Sequence, residues 1–513
     1  MQADVVGAAM LAVVRLRYRP AMAETTYEST FFWHDYETFG RVPRRDRPAQ
    51  FAGLRTDVEL NVIGDPVMLY CQPAPDYLPD PESVLLTGIL PQHALERGVP
   101  EKAFAAAIEA ELARDGSIGV GYNSIRFDDE VTRHLFWRNL VDPYSREWCN
   151  GCSRWDIVDV VRAAWSLRPD GINWPTHEDG RPSFKLEHLS AANGLLHDAA
   201  HDALSDVRAT IALARLIKQR QPRLWNFCLD LRKKDAVWRQ IGTRQPFVHL
   251  SGMYALERGC LAIVWPLCAH PTNKNELIVW DLAHDPRELA TLDAATARRR
   301  LFTRQDELPA GEQRLPVKTI HINKSPIVFS DLRALGPAAQ RWAIDTDGAL
   351  RHAEHAARFD RTLDGLWAEA FARPPEETAR DVDEDLYGGF IDDEDRRTLQ
   401  RLRALSPDAL AATFSGRSPA FKDARLEELV FRYRARNFPH TLDGNDRARW
   451  QQHCAERLHG GAGGYQTLAT YFERIDALAD VAVDADDQRA QGILEALVDY
   501  AEGIAPESPV AVA

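Results

Sequence analysis

The chain has 513 residues, of which 45% are hydrophobic and 27% charged, as in a globular protein of about three domains. This composition excludes collagen-like, disordered and disulfide-scaffold proteins. The formal net charge is −14, so any nucleic-acid-binding surface has to be a local basic patch on an acidic protein.

The N-terminal residues and the cysteines bear on the cellular compartment. The longest apolar run, Val5–Val14, is too short to span a bilayer, and arginines follow it, whereas a signal peptide has its basic residues first. We interpret residues 1–30 as an unstructured or mis-annotated extension, with Met22 as an alternative start. Seven scattered cysteines favour a reducing compartment. We therefore expect a cytoplasmic protein without membrane association.

Strands and helices are interspersed over residues 31–220, which predicts a first α/β domain. We predict strands over Phe31–Phe39, over Val62–Cys71 with an interruption by a turn at Gly64–Pro66, and over Ser117–Ser124, where Ile118, Val120 and Tyr122 alternate with other residues. Helical spacing of apolar residues predicts helices over Pro100–Arg114, Asp128–Leu140, Ile157–Leu167, Lys185–Asn193 and Leu204–Arg220.

The pattern changes after Pro222 and again near Ala353. Short strands with turn residues between them predict a small β-rich barrel or sandwich over residues 221–352. They are Phe247–Tyr254, Leu261–Leu267, Glu276–Leu282, Pro316–Asn323 and Pro326–Phe329. Residues 353–505 are helical in pattern, with a tail at 506–513. The acidic run Val382–Asp395 is interpreted as a solvated helix start or linker, the usual state of such runs.

The segment His34–Thr38 places two carboxylates side by side in the first predicted strand. Residues i and i+2 of a strand point to the same face, so Asp35 and Glu37 are neighbours. Adjacent carboxylates repel each other and are tolerated where a hard cation such as Mg²⁺ or Mn²⁺ neutralises them. An edge strand whose Asp and Glu face water would explain the same residues.

Two more acidic residues stand at predicted helix starts. Asp128 is either a helix N-cap or a carboxylate at the carboxyl end of a strand, where α/β sheets bind ligands. Asp206 lies in the first turn of a helix, where an acidic residue also favours the helix dipole. His201 lies in the loop before Asp206, and a lone loop histidine is more often a surface residue.

The four carboxylates, with a histidine five residues before the last of them, resemble the DEDD superfamily of 3′→5′ exonucleases in its histidine-containing subclass. These residues are Asp35, Glu37, Asp128, Asp206 and His201. Longer segments are similar to the bacterial exonuclease I family of single-strand DNA exodeoxyribonucleases. These segments are Asp35–Gly40, Asp46–Phe51, Gly171–Pro175, His321–Lys324 and Tyr433–Pro439. The resemblance runs from about Phe31 to beyond Arg449 and covers all three predicted domains.

The resemblance implies a fold and a reaction. The fold would be an α/β RNase-H-like exonuclease domain with a mixed sheet flanked by helices, then a small SH3-like β-rich domain and a C-terminal helical domain. The cofactor would be two Mg²⁺ ions about 3.5–4 Å apart, for which Mn²⁺ is expected to substitute. Asp35 would bind both ions. Glu37, Asp128 and Asp206 would complete the ligand set, and His201 would take the proton from the attacking water.

The same resemblance implies contacts to substrate and partner. Glu37 and Lys185 would contact the terminal nucleotide, although the family carries Arg where Lys185 stands, and Lys lacks the bidentate fork of Arg. Arg168 matches a position that docks the acidic C-terminal tail of single-stranded-DNA-binding protein. We expect a monomer. His321 and Lys324 belong to a family motif, and no role is assigned to them.

Three basic clusters could follow the DNA backbone. In the segment Arg208–Arg244, basic residues alternate with the aromatic residues Trp225, Phe227 and Trp238. This composition is typical of a groove that binds phosphates and stacks bases on aromatic rings. A solvated helix with aromatic residues in the core has the same composition. The other two clusters are Arg298–Arg300 with Arg304, and Arg432, Arg434 and Arg436. The pair Cys149 and Cys152 lacks the second pair of ligands that a zinc site needs.

The leading hypothesis is a Mg²⁺-dependent 3′→5′ exodeoxyribonuclease that degrades single-stranded DNA to 5′-mononucleotides in DNA repair and recombination. Polarity and preference for DNA come from the resemblance alone. One alternative is an RNA-directed 3′→5′ exoribonuclease with the same carboxylates. Another is a catalytically silent single-strand-binding scaffold.

Overall fold

The computed structural model describes residues 27–195, 202–359, 364–372, 380–415 and 419–506. The first strands are β1 (Thr30–Thr38), β2 (Pro48–Thr56), β3 (Val62–Tyr70), β4 (Ser117–Gly121) and β5 (Ser153–Asp156). They form one mixed sheet in the order β3-β2-β1-β4-β5. β1, β2 and β3 are antiparallel neighbours, and β4 and β5 run parallel to β1. Because β1 is the central strand, the alternative that Asp35 and Glu37 belong to an exposed edge is excluded.

Helices cover both faces of this sheet. Trp33 packs in the core beneath the Ala203–Arg220 helix, and its neighbour Phe32 packs on the opposite face with Phe104 and Leu135. The helices of this part of the chain are Pro81–Thr87, Pro91–Arg97, Glu101–Leu112, Asp128–Arg138, Ile157–Leu167, Leu186–Ala192, Ala203–Arg220, Pro222–Asp230 and Lys234–Ile241. The five helices predicted between residues 100 and 220 are confirmed, with ends that differ by no more than two residues.

The predicted interruption at Gly64–Pro66 is present as a bulge and not as a turn, because β3 continues on both sides of it while its pairing register with β2 shifts there. Gly64 adopts a φ of +73°, which glycine reaches without steric cost, and Gly64–Pro66 lie opposite the single residue Leu54 of β2. β3 pairs only with β2, so Pro66, which has no N–H to donate, stands on an edge strand where proline is tolerated.

The next five strands form a second, antiparallel sheet in the order β10-β6-β7-β8-β9. They are β6 (Phe247–Leu250), β7 (Leu261–Ala269), β8 (Glu276–Asp281), β9 (Val317–His321) and β10 (Ile327–Phe329). All five were predicted. The helices Ala294–Phe302, Pro337–Arg341, Thr346–Ala356 and Asp364–Ala370 accompany this sheet, and the last two share its core through Ala353 and Trp367.

The described residues from 380 to 506 are mostly helical. The helices are Asp393–Ala404, Pro407–Ser415, Arg425–Asn437, Gly444–Leu458, Leu468–Asp484 and Gln488–Ile504. They also pack on the first sheet's domain, since Trp137 shares a core with Leu399 and Leu429. No described helix is both long and apolar enough to cross a membrane.

The acidic run is not simply solvated, so this interpretation is wrong for part of it. Asp383, Glu384 and Asp395 are buried, whereas Asp393 is mostly exposed. Asp383 accepts charged hydrogen bonds from Arg47 (3.1 Å) and Arg436 (2.5 Å), which come from distant parts of the chain. A buried carboxylate is tolerated where such partners replace water.

Candidate active site

Three carboxylates converge at the carboxyl half of β1. Asp35 and Glu37 project from the same face of the strand, and Asp206 comes from the first turn of the helix packed on that face. One carboxylate oxygen from each of Asp35, Glu37 and Asp206 lies within 4.8 Å of the other two. Asp35 and Asp206 are half-buried and Glu37 is buried. An all-oxygen donor set of this kind fits a hard divalent cation.

Asp128 reaches the same region from the other side of β1. It is the first residue of its helix and is buried, and its Oδ1 accepts a hydrogen bond from the Tyr36 backbone N–H at 3.1 Å. Phe127 holds the N-cap position and makes no side-chain cap. The N-cap interpretation of Asp128 is therefore wrong, and its carboxylate lies against the strand residue between Asp35 and Glu37.

Burial and mutual repulsion disfavour charge on the cluster. Burial, and then the charges of Asp128, Glu37 and Asp206, raise the pKa of Asp35 well above its usual value. Burial and the charge of Asp206 raise the pKa of Glu37 to about 8. Burial also raises the pKa of Asp128. A bound cation would reverse this destabilisation, because it favours the ionised form of every neighbouring carboxylate.

Asp129, next to Asp128 in sequence, is in a different environment. It is buried, but Arg146 (2.6 Å) and Arg154 (3.0 Å) both bind its carboxylate. Burial alone would raise the pKa of Asp129, and these two guanidinium groups outweigh it and lower the pKa. Asp129 is therefore a paired structural carboxylate that anchors the helix start, and Asp128 is not paired in this way.

Asp156 and Gln50 position the site, and the sequence analysis did not identify them. Asp156 accepts hydrogen bonds from the backbone N–H groups of Asn123 (2.9 Å) and Ile125 (3.1 Å), which fixes the loop before Asp128. Gln50 Oε1 accepts from the Ala203 N–H at 3.3 Å, which ties the helix carrying Asp206 to β2. The sequence did contain one indication that Asp156 has a structural role. An Asp directly before a predicted helix is a common N-cap, and Asp156 caps the Ile157–Leu167 helix.

Lys185 and Arg168, the other predicted site residues in the described part of the chain, bond to neighbours outside the cluster. Lys185 is exposed, and its ammonium pairs with Glu187 at 3.2 Å. Arg168 is exposed and donates to the carbonyls of Leu167 (2.6 Å) and Ala334 (3.0 Å). His201 lies outside the described residues.

The basic clusters differ from the predicted groove. Trp225 is 1% exposed and belongs to the core, so it is not a stacking platform, whereas Trp238 is 45% exposed. The cluster Arg432, Arg434 and Arg436 does not line a channel either, because all three side chains are buried in ion pairs. Arginine in a buried pair cannot also bind phosphate, so these residues join parts of the fold. The arginines of the 298–304 cluster likewise engage acidic or carbonyl partners.

Family models match the three parts of the chain. A model described as "Exonuclease" matches residues 32–214, "Exonuclease I SH3-like domain" matches 232–373, and "Exonuclease I C-terminal domain" matches 380–504. With the mixed sheet and the carboxylate cluster, these matches define a nuclease, a hydrolase built from an exonuclease domain followed by SH3-like and C-terminal domains. Exodeoxyribonuclease I of Escherichia coli K12 is 44% identical over 491 residues, 94% of this chain and all of that protein. The chain belongs to the exonuclease I family.

Solved structures agree with this assignment. An exonuclease I from Methylocaldum szegediense, described as moderately thermophilic, superposes with a TM-score of 0.86 at 48% identity and covers 93% of this chain and 99% of that chain. A zinc-bound complex of E. coli exonuclease I with single-stranded DNA superposes with a TM-score of 0.85 at 42% identity. This match covers 93% of this chain and 99% of that chain. A structure named for SSB and exonuclease I with the inhibitor CFAM superposes with a TM-score of 0.83 at 42% identity. This match covers 93% of this chain and 100% of that chain.

Proposed function

We propose that this chain is a 3′→5′ exodeoxyribonuclease that degrades single-stranded DNA to 5′-mononucleotides in DNA repair and recombination. The observation that carries the proposal is the convergence of Asp35, Glu37 and Asp206, joined by Asp128 on the other side of β1. Four carboxylates at one place are unfavourable without cations and suit phosphodiester hydrolysis with them. The single-stranded DNA in the related solved complex supports the choice of substrate.

The cofactor proposed is Mg²⁺, as two ions, with Mn²⁺ as a substitute. Asp35, Glu37, Asp128 and Asp206 would hold the metal, and their oxygen-only donors fit Mg²⁺ better than a softer ion. When bound, the metal would supply an activated water and stabilise the leaving 3′-oxygen. The chain's own contribution is to fix the carboxylates: β1 holds two in register, and Asp156 and Gln50 hold the segments that bring the others.

Substrate and partner contacts are proposed for three residues. Glu37 and Lys185 would contact the terminal nucleotide, with Lys185 as a single charge and not a bidentate fork. Arg168 would receive the acidic tail of single-stranded-DNA-binding protein, which the relative solved with SSB supports. We further propose a cytoplasmic monomer, with domains at residues 31–220, 221–352 and 353–505.

His201 is proposed as the base that takes the proton from the attacking water. His201→Ala should lower the hydrolysis rate by about 10²–10⁴-fold, the usual contribution of a positioned general base. Affinity for divalent ions and for an oligonucleotide should stay nearly unchanged, because His201 is not proposed as a ligand. Isothermal titration with Mn²⁺ and steady-state hydrolysis separate the two roles. A large loss of metal affinity, or an unchanged rate, would contradict the assignment.

Binding of single-stranded DNA should weaken steeply with salt in spite of the net charge of −14. In a plot of the logarithm of the association constant against the logarithm of the salt concentration, each neutralised phosphate should contribute about −0.7 to the slope. Four phosphate contacts would therefore give a slope of about −3. Fluorescence anisotropy of a labelled oligonucleotide in EDTA, across a salt series, measures this slope. A flat response would mean that no basic surface of the protein follows the DNA backbone.

The proposed function is tested by nucleotide release from single-stranded DNA and RNA of the same sequence. We expect mononucleotides from DNA with Mg²⁺ and none with EDTA. Faster release from RNA would favour the exoribonuclease, because the 2′-hydroxyl is read in the nucleotide pocket and not at the carboxylates. Binding without release under every metal condition would favour the silent scaffold.

A further inference from the structure

The segment His321–Lys324, which the sequence analysis left without a role, lies in the turn between β9 and β10. In this turn the Lys324 N–H donates to the His321 carbonyl at 3.1 Å. Ser325, the next residue, is buried and has a φ of +49°, a left-handed conformation that is unfavourable for a residue with a side chain. Such a residue persists only where its surroundings hold it in place, so the contacts of this turn with its neighbours are informative.

Arg154 on β5 of the first sheet is the neighbour that holds the turn. The Ser325 hydroxyl donates to the Arg154 carbonyl at 3.3 Å, and Arg154 Nη2 donates to the Asn323 carbonyl at 3.3 Å. The side chain of Arg154 is 4% exposed, so water does not compete for these bonds. The turn of the second sheet is therefore bonded to the first sheet at this arginine.

The same guanidinium binds Asp129, the residue that follows the proposed metal ligand Asp128. Arg154 Nη1 donates to Asp129 Oδ2 at 3.0 Å, and Arg146 donates to the other carboxylate oxygen at 2.6 Å. Phe127, at the N-cap position of this helix, makes no side-chain cap. Because a helix start without a cap lacks one of its usual restraints, the ion pairs of Asp129 hold the turn from which Asp128 reaches β1.

The three nitrogens of the Arg154 guanidinium have three different partners. Nε lies 3.4 Å from Glu147, Nη1 binds Asp129, and Nη2 binds the Asn323 carbonyl. A guanidinium presents its donors in a rigid fork, whereas a lysine ammonium is a single charged point. Lysine in this place could keep the charge and pair with Asp129, but it could not bind the turn at the same time.

We infer that Arg154 is a positioning residue for the metal site, held by the turn at Asn323–Ser325 and acting on Asp128 through Asp129. The inference rests on the proposed function and adds the second sheet to the parts of the chain that set metal affinity. Removing a group that orients a metal ligand typically costs about 10–100-fold in metal affinity or activity. Because Arg154 acts through an intermediate residue, we expect the lower end of this range.

The test is isothermal titration of the full-length protein with Mn²⁺ in the absence of DNA. Arg154→Lys should weaken Mn²⁺ binding by about 10-fold. It should raise the Mg²⁺ concentration for half-maximal nucleotide release by a similar factor, while the rate at saturating Mg²⁺ stays within about 3-fold of wild type. Ser325→Ala removes one neutral hydrogen bond and should weaken Mn²⁺ binding by about 2-fold. The double variant should bind Mn²⁺ as Arg154→Lys does, because Ser325 acts only through the Arg154 guanidinium.

Arg258→Lys is the matched control. Arg258 also forms two charged hydrogen bonds to a buried carboxylate, that of Asp281 on β8, at 2.6 and 3.1 Å. Arg258→Lys should lower the Tm as Arg154→Lys does, but it should leave Mn²⁺ binding unchanged. An equal loss of Mn²⁺ affinity in Arg258→Lys would overturn the inference, because the effect would then belong to general destabilisation.

Unchanged Mn²⁺ binding in folded Arg154→Lys would make Arg154 a structural residue and overturn the inference. If Arg154→Lys does not fold, Ser325→Ala decides, and wild-type Mn²⁺ affinity in that variant would overturn it. Additive losses in the double variant would contradict a connection through the turn. If the wild type binds Mn²⁺ but releases no nucleotide, the proposed function fails, while the titrations still decide the role of Arg154.

Discussion

Replacing Asp35 by Ala should lower nuclease activity at saturating Mg²⁺ by at least about 10³-fold while the protein stays folded. Metal-ion catalysis contributes several kcal/mol of transition-state stabilisation, and each 1.36 kcal/mol is about tenfold in rate. One Asp35 carboxylate oxygen lies within 4.8 Å of those of Glu37 and Asp206, and the charge of Asp128 also acts on Asp35, so the substitution removes one of the few oxygen donors at the site. Nucleotide release under single-turnover conditions measures the loss.

The same variant should be as stable as the wild type without metal, or more stable. Burial and neighbouring charges raise the pKa of Asp35, so its ionised form is a cost to the folded state, and removing it relieves repulsion on Glu37. Mg²⁺ should raise the Tm of the wild type and have a smaller effect on the variant. Asp65→Ala, an exposed carboxylate on β3, is the control and should behave as wild type. Near wild-type activity in Asp35→Ala would refute the metal site.

Replacing Asp383 by Ala should lower the free energy of unfolding by about 3–5 kcal/mol, the usual cost of removing one partner from a buried ion pair. Asp383 is buried and binds Arg47 and Arg436, and the side chains of Arg432 and Arg457 lie 3.4 Å from the same oxygen. Without Asp383 these guanidinium groups would repel one another in a site from which water is excluded. Urea unfolding followed by circular dichroism measures the change.

Asp393→Ala, in the same acidic run, is the matched control. Its carboxylate pairs with Arg396 at 2.7 Å but is 81% exposed, so its loss should cost no more than about 0.5 kcal/mol. Equal effects of the two substitutions would contradict a buried network.

Burial opposes ionisation of Asp383, but its arginines hold its pKa well below the usual range. Its stabilisation is therefore complete above the unfolded-state pKa of about 3.9 and is lost as the pH falls further.

Elements with a clear period were predictable from the sequence. The Ala203–Arg220 helix carries Val207, Ile211 and Ala214 on one buried face, and its ends were predicted within one residue. β2 was missed because all of its residues are buried, so it shows no alternation of apolar and polar residues. It also contains Arg55, whose guanidinium bonds to Thr30 and Ser117 inside the fold. Local patterns do not reveal such a partner.

The roles of charged residues depended on partners far away in sequence. Asp128 and Asp129 are adjacent and chemically identical, yet only Asp129 binds Arg146 and Arg154. The residues near Asp383 in sequence are mostly acidic, which suggested that the whole run is solvated. The arginines that neutralise Asp383 lie far away along the chain in both directions, as Arg47 does. The pair Asp35 and Glu37 could be proposed early, since the i and i+2 rule places them on one face whatever the rest of the fold does. Asp128 and Asp206 joined this pair only through the resemblance to the exonuclease family.

Release of label from single-stranded DNA with distinct labels at its two ends tests the central claim most directly. With Mg²⁺, the account predicts that the 3′ label appears first, in a 5′-mononucleotide, and that the 5′ label appears only after the strand has been shortened. EDTA, or the Asp35→Ala substitution, should abolish both. Earlier release of the 5′ label, internal cleavage, or release that persists in EDTA and in Asp35→Ala would contradict it.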